Sequence, residues 1–161
     1  MTSDLRAEIR QSQPFASLRQ EAQLNVVRTS AVLTDAFERL LRPYGITATQ
    51  YNVLRILRGA GAAGLCRNDL RDRLLTRMPD VTRLLDRMAD AGLVERERST
   101  EDRRLVATRL TAQGRRLVDE LDAVVAAEHD RRLGHLSDAE LATLIELLTH
   151  ARAGGGGADP D

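Results

Sequence analysis

Two stretches of this 161-residue chain hold cations where they could grip nucleic acid. Over residues 79–91, Val81, Leu84, Leu85 and Met88 fall at i, i+3, i+4 and i+7, the spacing of one buried helical stripe. The same spacing leaves Thr82, Arg83, Asp86 and Arg87 on the opposite face. A threonine hydroxyl there can bond base edges or phosphates, and an arginine can fork onto guanine in a major groove. Further on, Arg103 and Arg104 stand at the tip where two segments of alternating apolar and charged residues meet, able to enter a narrow minor groove. Arg83, Asp86, Arg87 and Asp90 are also spaced for ordinary pairing along a solvated helix face. That alternative does not account for a charged hairpin tip with no apolar face of its own to bury.

The elements around these residues can be read from periodicity. Residues 1–14 are polar and end at Pro14, which suggests a loose arm with at most one helical turn. Apolar residues recur at helical spacing over 16–41, until Arg42, Pro43, Tyr44 and Gly45 break the run. A second helix is predicted over 47–58, then a loop over 59–64, then a short helix over 68–75 with Leu70 and Leu74 four apart. The striped helix comes next, with Pro79 in its first turn and Gly92 as a left-handed stop. Residues 93–98 and 104–110 alternate as two strands, the only strand signal in the chain. Thr111 then opens a helix running toward Gly134. Ser137 and Glu140 make a capping box for a last helix reaching about Arg152. The glycine-rich end, 153–161, reads as a disordered tail.

Composition limits the alternatives. The charges balance at 24 basic and 24 acidic residues, so any positive surface must be local. Every basic residue is arginine, a planar, permanently charged fork suited to carboxylate and phosphate. Cys66 is the single cysteine, and with the scattered His129, His135 and His150 it supplies neither a disulfide nor a zinc site. No apolar run approaches the length of a membrane span, and the N-terminal residues lack the apolar stretch of a secretory signal. The expectation is a cytoplasmic protein without metal or cofactor. No nucleophile–base–orienter set or phosphate loop stands out, so an enzyme is not expected.

A short helix, a striped helix across a tight turn and a hairpin directly after it form a winged helix-turn-helix order. With that order in place, the chain resembles the MarR family of bacterial regulators over residues 45–120. The resemblance is carried by GITATQYNVLRIL at 45–57, DVTRLLDRMADAGLVER at 80–96 and EDRRLVATRLTAQGRRL at 101–117. The last contains a D-x-R wing motif as Asp102–Arg103–Arg104 and an L-T-x-x-G turn as Leu110, Thr111 and Gly114. The fold class implied is mainly α with a small β-hairpin wing. Residues 1–15 would be an arm and 16–152 one MarR-type domain. Within that domain 47–110 would form the DNA-binding lobe, and 16–42 with 112–152 the long helices of a homodimer.

Carried over by position, the resemblance puts Met78, Pro79, Asp80, Thr82 and Arg83 on the recognition helix, Asp102 on the acid that shapes the wing and Arg104 on the minor-groove arginine. Met78 and Asp80 depart from the small polar residues commoner there. Asp80 would repel phosphate unless it accepts from cytosine N4 or pairs with Arg83. The implied function is a dimeric repressor on a pseudo-palindromic operator, released by a small effector such as an aromatic acid or phenol. Asn25, Arg28, Tyr51 and His129 are the polar candidates for that effector, and ordinary helix packing explains each of them as well. Two other functions compete: redox control through Cys66, and a helical interaction module that no longer binds DNA.

Overall fold

A computed structural model describes residues 5–98 and 106–154. The helix that the stripe predicts opens at Asp80, whose carboxylate accepts the backbone N–H of Arg83 at 2.9 Å. Helix α5 (Val81–Asp90) begins at the next residue. Val81, Leu84, Leu85 and Met88 are all buried, as their spacing requires. Pro79 lies in the turn ahead of the cap rather than in the first helical turn, because the aspartate takes the capping position after it. At the other end Gly92 adopts φ 70°. Its N–H donates to the carbonyl of Ala89 at 2.8 Å, and that of Leu93 to Met88 at 2.9 Å. This pair of bonds closes a helix only around a left-handed residue, which glycine adopts without penalty.

The other elements are, in order, helices α1 (Leu5–Glu8), α2 (Leu18–Leu41) and α3 (Ala48–Ala60), strand β1 (Leu65–Cys66) and helix α4 (Arg67–Arg73) ahead of α5. After α5 come strands β2 (Val94–Arg98) and β3 (Val106–Leu110), then helices α6 (Ala112–Leu133) and α7 (Asp138–Gly154). The stretch expected as a loop over 59–64 instead extends α3 to Ala60 and adds a 3-10 turn at Gly61–Ala63. The two expected strands pair antiparallel from Val94 opposite Leu110 to Arg98 opposite Val106. A third, β1, joins the far side of β3 with Leu65 opposite Thr108 and Cys66 opposite Ala107. Two residues are too few to show an alternating pattern, so this strand left no signal.

The chain forms two compact units, Met1–Leu121 and Asp122–Asp161. In the first, the core holds Leu41, Ile46, Tyr51, Val53, Leu54, Leu57, Leu70 and Leu93 with the α5 stripe, Val118 and Leu121. Arg58 of α3 reaches Asp119 of α6 at 3.0 Å. The arm's single turn buries Leu5, and its Glu8 pairs with Arg28 of α2 at 3.1 Å. In the second unit, Ser137 and Glu140 close the predicted capping box. The Glu128 carboxylate accepts from both Arg131 and Arg132, and those hydrogen bonds, Arg132 first, hold it below the usual carboxylate range.

Candidate nucleic-acid interface

The candidate recognition element is α5, and three features set how it is presented. Behind it, the buried stripe fixes its rotation. Ahead of it, the turn after α4 is tied down by Asn52 of α3, whose Oδ1 accepts the backbone N–H of Leu75 at 3.2 Å. Beside it, Arg96 of β2 donates to Asp86. Sequence reading did not single out Asn52. The signal was there: a buried asparagine inside the run Tyr51–Asn52–Val53–Leu54 needs a polar partner.

Thr82, Arg83, Asp86 and Arg87 fall on the side of α5 away from the core, as the spacing predicts. Arg83 and Arg87 are exposed, and Thr82 is half-buried. Asp80 answers the question its charge raised. It caps α5, and its second oxygen lies 3.5 Å from Nε of Arg83, so the arginine stands beside its own counter-ion. Met78 is half-buried and Pro79 exposed, both in the turn just ahead of the cap. Asp102, Arg103 and Arg104 lie outside the described residues; the strands that lead to them, β2 and β3, are in place. Arg109 of β3 pairs with Glu97 of β2 across the wing.

The L-T-x-x-G segment joins the wing to α6 and locks it to the end of α5. The Thr111 hydroxyl donates to the carbonyl of Gly92 at 2.6 Å and accepts the N–H of Gly114 at 3.0 Å. The backbone N–H of Thr111 donates to Leu93 at 3.2 Å. A Cβ at Gly114 would strike the Leu93 carbonyl oxygen, so only glycine permits this approach.

The four effector candidates have structural partners. Asn25 donates to the Glu21 carbonyl one turn back in its own helix, and Arg28 is paired with Glu8. Tyr51 is in the core, its ring edge-on to Phe37 at 5.5 Å between centroids. His129 is exposed on α6, in the second unit. The structure therefore brings Asn25 and Arg28 onto one helix and sets Tyr51 among apolar neighbours. Cys66 caps α4, its sulfur accepting the Asp69 N–H at 3.4 Å. No helix of the described residues is long and apolar enough to cross a membrane. Among the described residues no group of three or more His, Cys, Asp or Glu side chains could hold a metal.

Comparison with known proteins agrees with this geometry. The model of the MarR family matches residues 46–106, which run from just ahead of α3 through α5 to the first residue of β3. A solved MarR transcription factor from Planctomyces limnophilus is 40% identical, covering 84% of this chain and 98% of that one, with a TM-score of 0.65. The chain belongs to the MarR family. It is also 32% identical to the HTH-type transcriptional repressor Mb2911 of Mycobacterium bovis, over 75% of this chain and 88% of that protein. A mutant MarR from E. coli, solved in complex with operator DNA, is 29% identical, covers 92% of this chain and 99% of that one, and superposes with a TM-score of 0.71. The fold is the family's winged helix-turn-helix between helical ends.

Proposed function

We propose that this MarR-family chain is a dimeric transcriptional repressor that binds a pseudo-palindromic operator. The observation that carries the reading is α5, a capped helix with one face wholly buried and Thr82, Arg83 and Arg87 presented on the other. The E. coli relative solved on operator DNA supports it. In this reading α5 enters the major groove, where Arg83 forks onto a guanine, Thr82 and Arg87 meet neighbouring bases or phosphates, and Met78 and Pro79 approach the backbone. Asp80 contributes as the cap that aims Arg83. Arg103 and Arg104 enter the minor groove, with Asp102 shaping the wing. A small aromatic acid or phenol releases the complex, with Asn25, Arg28, Tyr51 and His129 as the first residues to vary in finding its site.

The test is binding to the DNA upstream of the chain's own coding sequence. Two lobes on one face of B-DNA require half-site centres about 10 bp, or roughly 34 Å, apart. Arg83→Ala is expected to weaken operator binding by about 1–3 kcal/mol and relax preference at one base position per half-site. Arg104→Ala is expected to weaken operator and scrambled DNA alike and to flatten the salt dependence by about one unit per lobe. Thermal melts should be unchanged for Arg83→Ala, since its side chain is exposed. Footprints confined to a single unpaired half-site would contradict the reading.

A further inference from the structure

The helix-turn-helix holds one more arginine on the face of α5 that carries Thr82, and it comes from a different helix. Arg67 is the first residue of α4 and is exposed. Its Nη1 donates to Oγ1 of Thr82 at 3.4 Å, and its Nη2 to Oδ1 of Asn68 at 3.5 Å. Both bonds are long and both acceptors are neutral. Two neighbouring arginines are placed differently: Arg71 lies 3.2 Å from the Asp72 carboxylate, and Arg83 3.5 Å from that of Asp80. Among the described residues, Arg67 has no carboxylate within ion-pair distance. Within the described residues its charge is therefore uncompensated, and most of its five donors remain for another acceptor. The partner that suits a planar, permanently charged fork on a DNA-facing helix is a phosphate.

We infer that Arg67 is a phosphate contact of the bound operator, gripping the backbone beside the base pairs that Thr82 faces. The inference rests on the proposed DNA-binding function. The first helix of a helix-turn-helix crosses the backbone while the second lies in the groove, so an arginine that starts the first and touches the second stands where the two surfaces meet. The contact positions and does not specify. Its loss must weaken all sequences together, unlike the loss of a base-reading residue.

The experiment measures affinity of the full chain against salt, on operator and scrambled duplexes, for wild type, Arg67→Ala, Arg67→Lys, Thr82→Val and Arg83→Ala. Arg67→Ala is expected to lower both affinities by the same factor and to remove about one unit of log–log salt slope per lobe. Arg67→Lys restores the slope, because the charge returns without the fork. Thr82→Val keeps the wild-type slope, because it removes only the hydroxyl. An unchanged slope in Arg67→Ala, while Arg83→Ala still relaxes base preference, overturns this inference and leaves the function standing. A wild-type chain with no salt-dependent DNA binding overturns the function, and Arg67 with it. Thermal melts alongside should coincide for wild type and Arg67→Ala, since the side chain is exposed, which ties the lost slope to contact and not to folding.

Discussion

Single residues decide how the recognition helix ends and how the chain leaves it. Gly92 turns the chain left-handed, Thr111 binds the carbonyl that this turn exposes, and Gly114 lets α6 start against Leu93. Family resemblance singled out Thr111 and Gly114, but not why they are needed. That required seeing that a side chain at 114 would meet backbone, which cannot swing aside as a flexible side chain would. Gly114→Ala is therefore expected to destabilise the fold by about 2 kcal/mol or more, comparable to overpacking a core site. For a chain of this size the melting temperature should fall by roughly 4–8 °C. Differential scanning calorimetry checks it, and a melt within a degree of wild type would show that Leu93 can move away. Asp80 carries a different lesson. Its charge alone left two partners open, a cytosine or Arg83, and the backbone N–H of Arg83 proves to be the third and decisive one.

At the scale of elements, legibility followed length. The stripe of α5 repeats often enough to fix both the helix and its solvent face from sequence, and the Ser137–Glu140 pair marked the start of α7. The two-residue β1 carries no periodicity, and contacts such as Asn52 with Leu75 or Arg96 with Asp86 join residues too far apart in sequence for spacing to relate them. The last of these ties recognition helix to wing. Breaking it with Asp86→Asn should leave stability within about 1 kcal/mol, because the pair is partly exposed. Operator affinity should still fall, because α5 and β2 lose their common register. The charge swap Asp86→Arg with Arg96→Asp should recover much of that affinity, and a double-mutant cycle with zero coupling would show that the pair does not position the wing. The capping box of α7 predicts a pH dependence. The Ser137 backbone N–H and then its hydroxyl bond Glu140, at 2.8 and 2.7 Å, and hold its carboxyl below the usual carboxylate range. A depressed pKa stabilises the fold above the unfolded value, near 4.3, and that contribution disappears as pH falls through the folded one. Hydrogen-exchange protection in the first turn of α7 should thus decline below about pH 4.5, and Glu140→Gln should remove that decline.

At the scale of the whole molecule, the question is what covers α2 and α7. Of the 24 residues of α2 only Ala36 and Leu41 are buried, and α7 has no buried residue along its 17. Leu18 is 84% exposed and Val27 59% on α2, with Val26 and Val32 beside them; on α7 Ile145 is 65% and Leu147 60% exposed. Burying a large aliphatic side chain is worth roughly 1.5–3 kcal/mol, so helices left in this state forgo an amount comparable to the whole stability of a typical domain. Runs of exposed apolar residues on this scale mark association surfaces. The outer helices carry more apolar positions than one lobe can cover, and a second copy offers the same residues in return, as a two-fold interface requires. The chain of 17.8 kDa is therefore expected to scatter light as a species of twice that mass at micromolar concentration. Ile145→Asp combined with Leu147→Asp should split it or unfold it, and in either case abolish operator binding, since a single lobe makes only half of the phosphate contacts that set affinity. The pairing of these helices would be refuted by a monodisperse wild-type monomer that holds its fold and binds operator with full affinity.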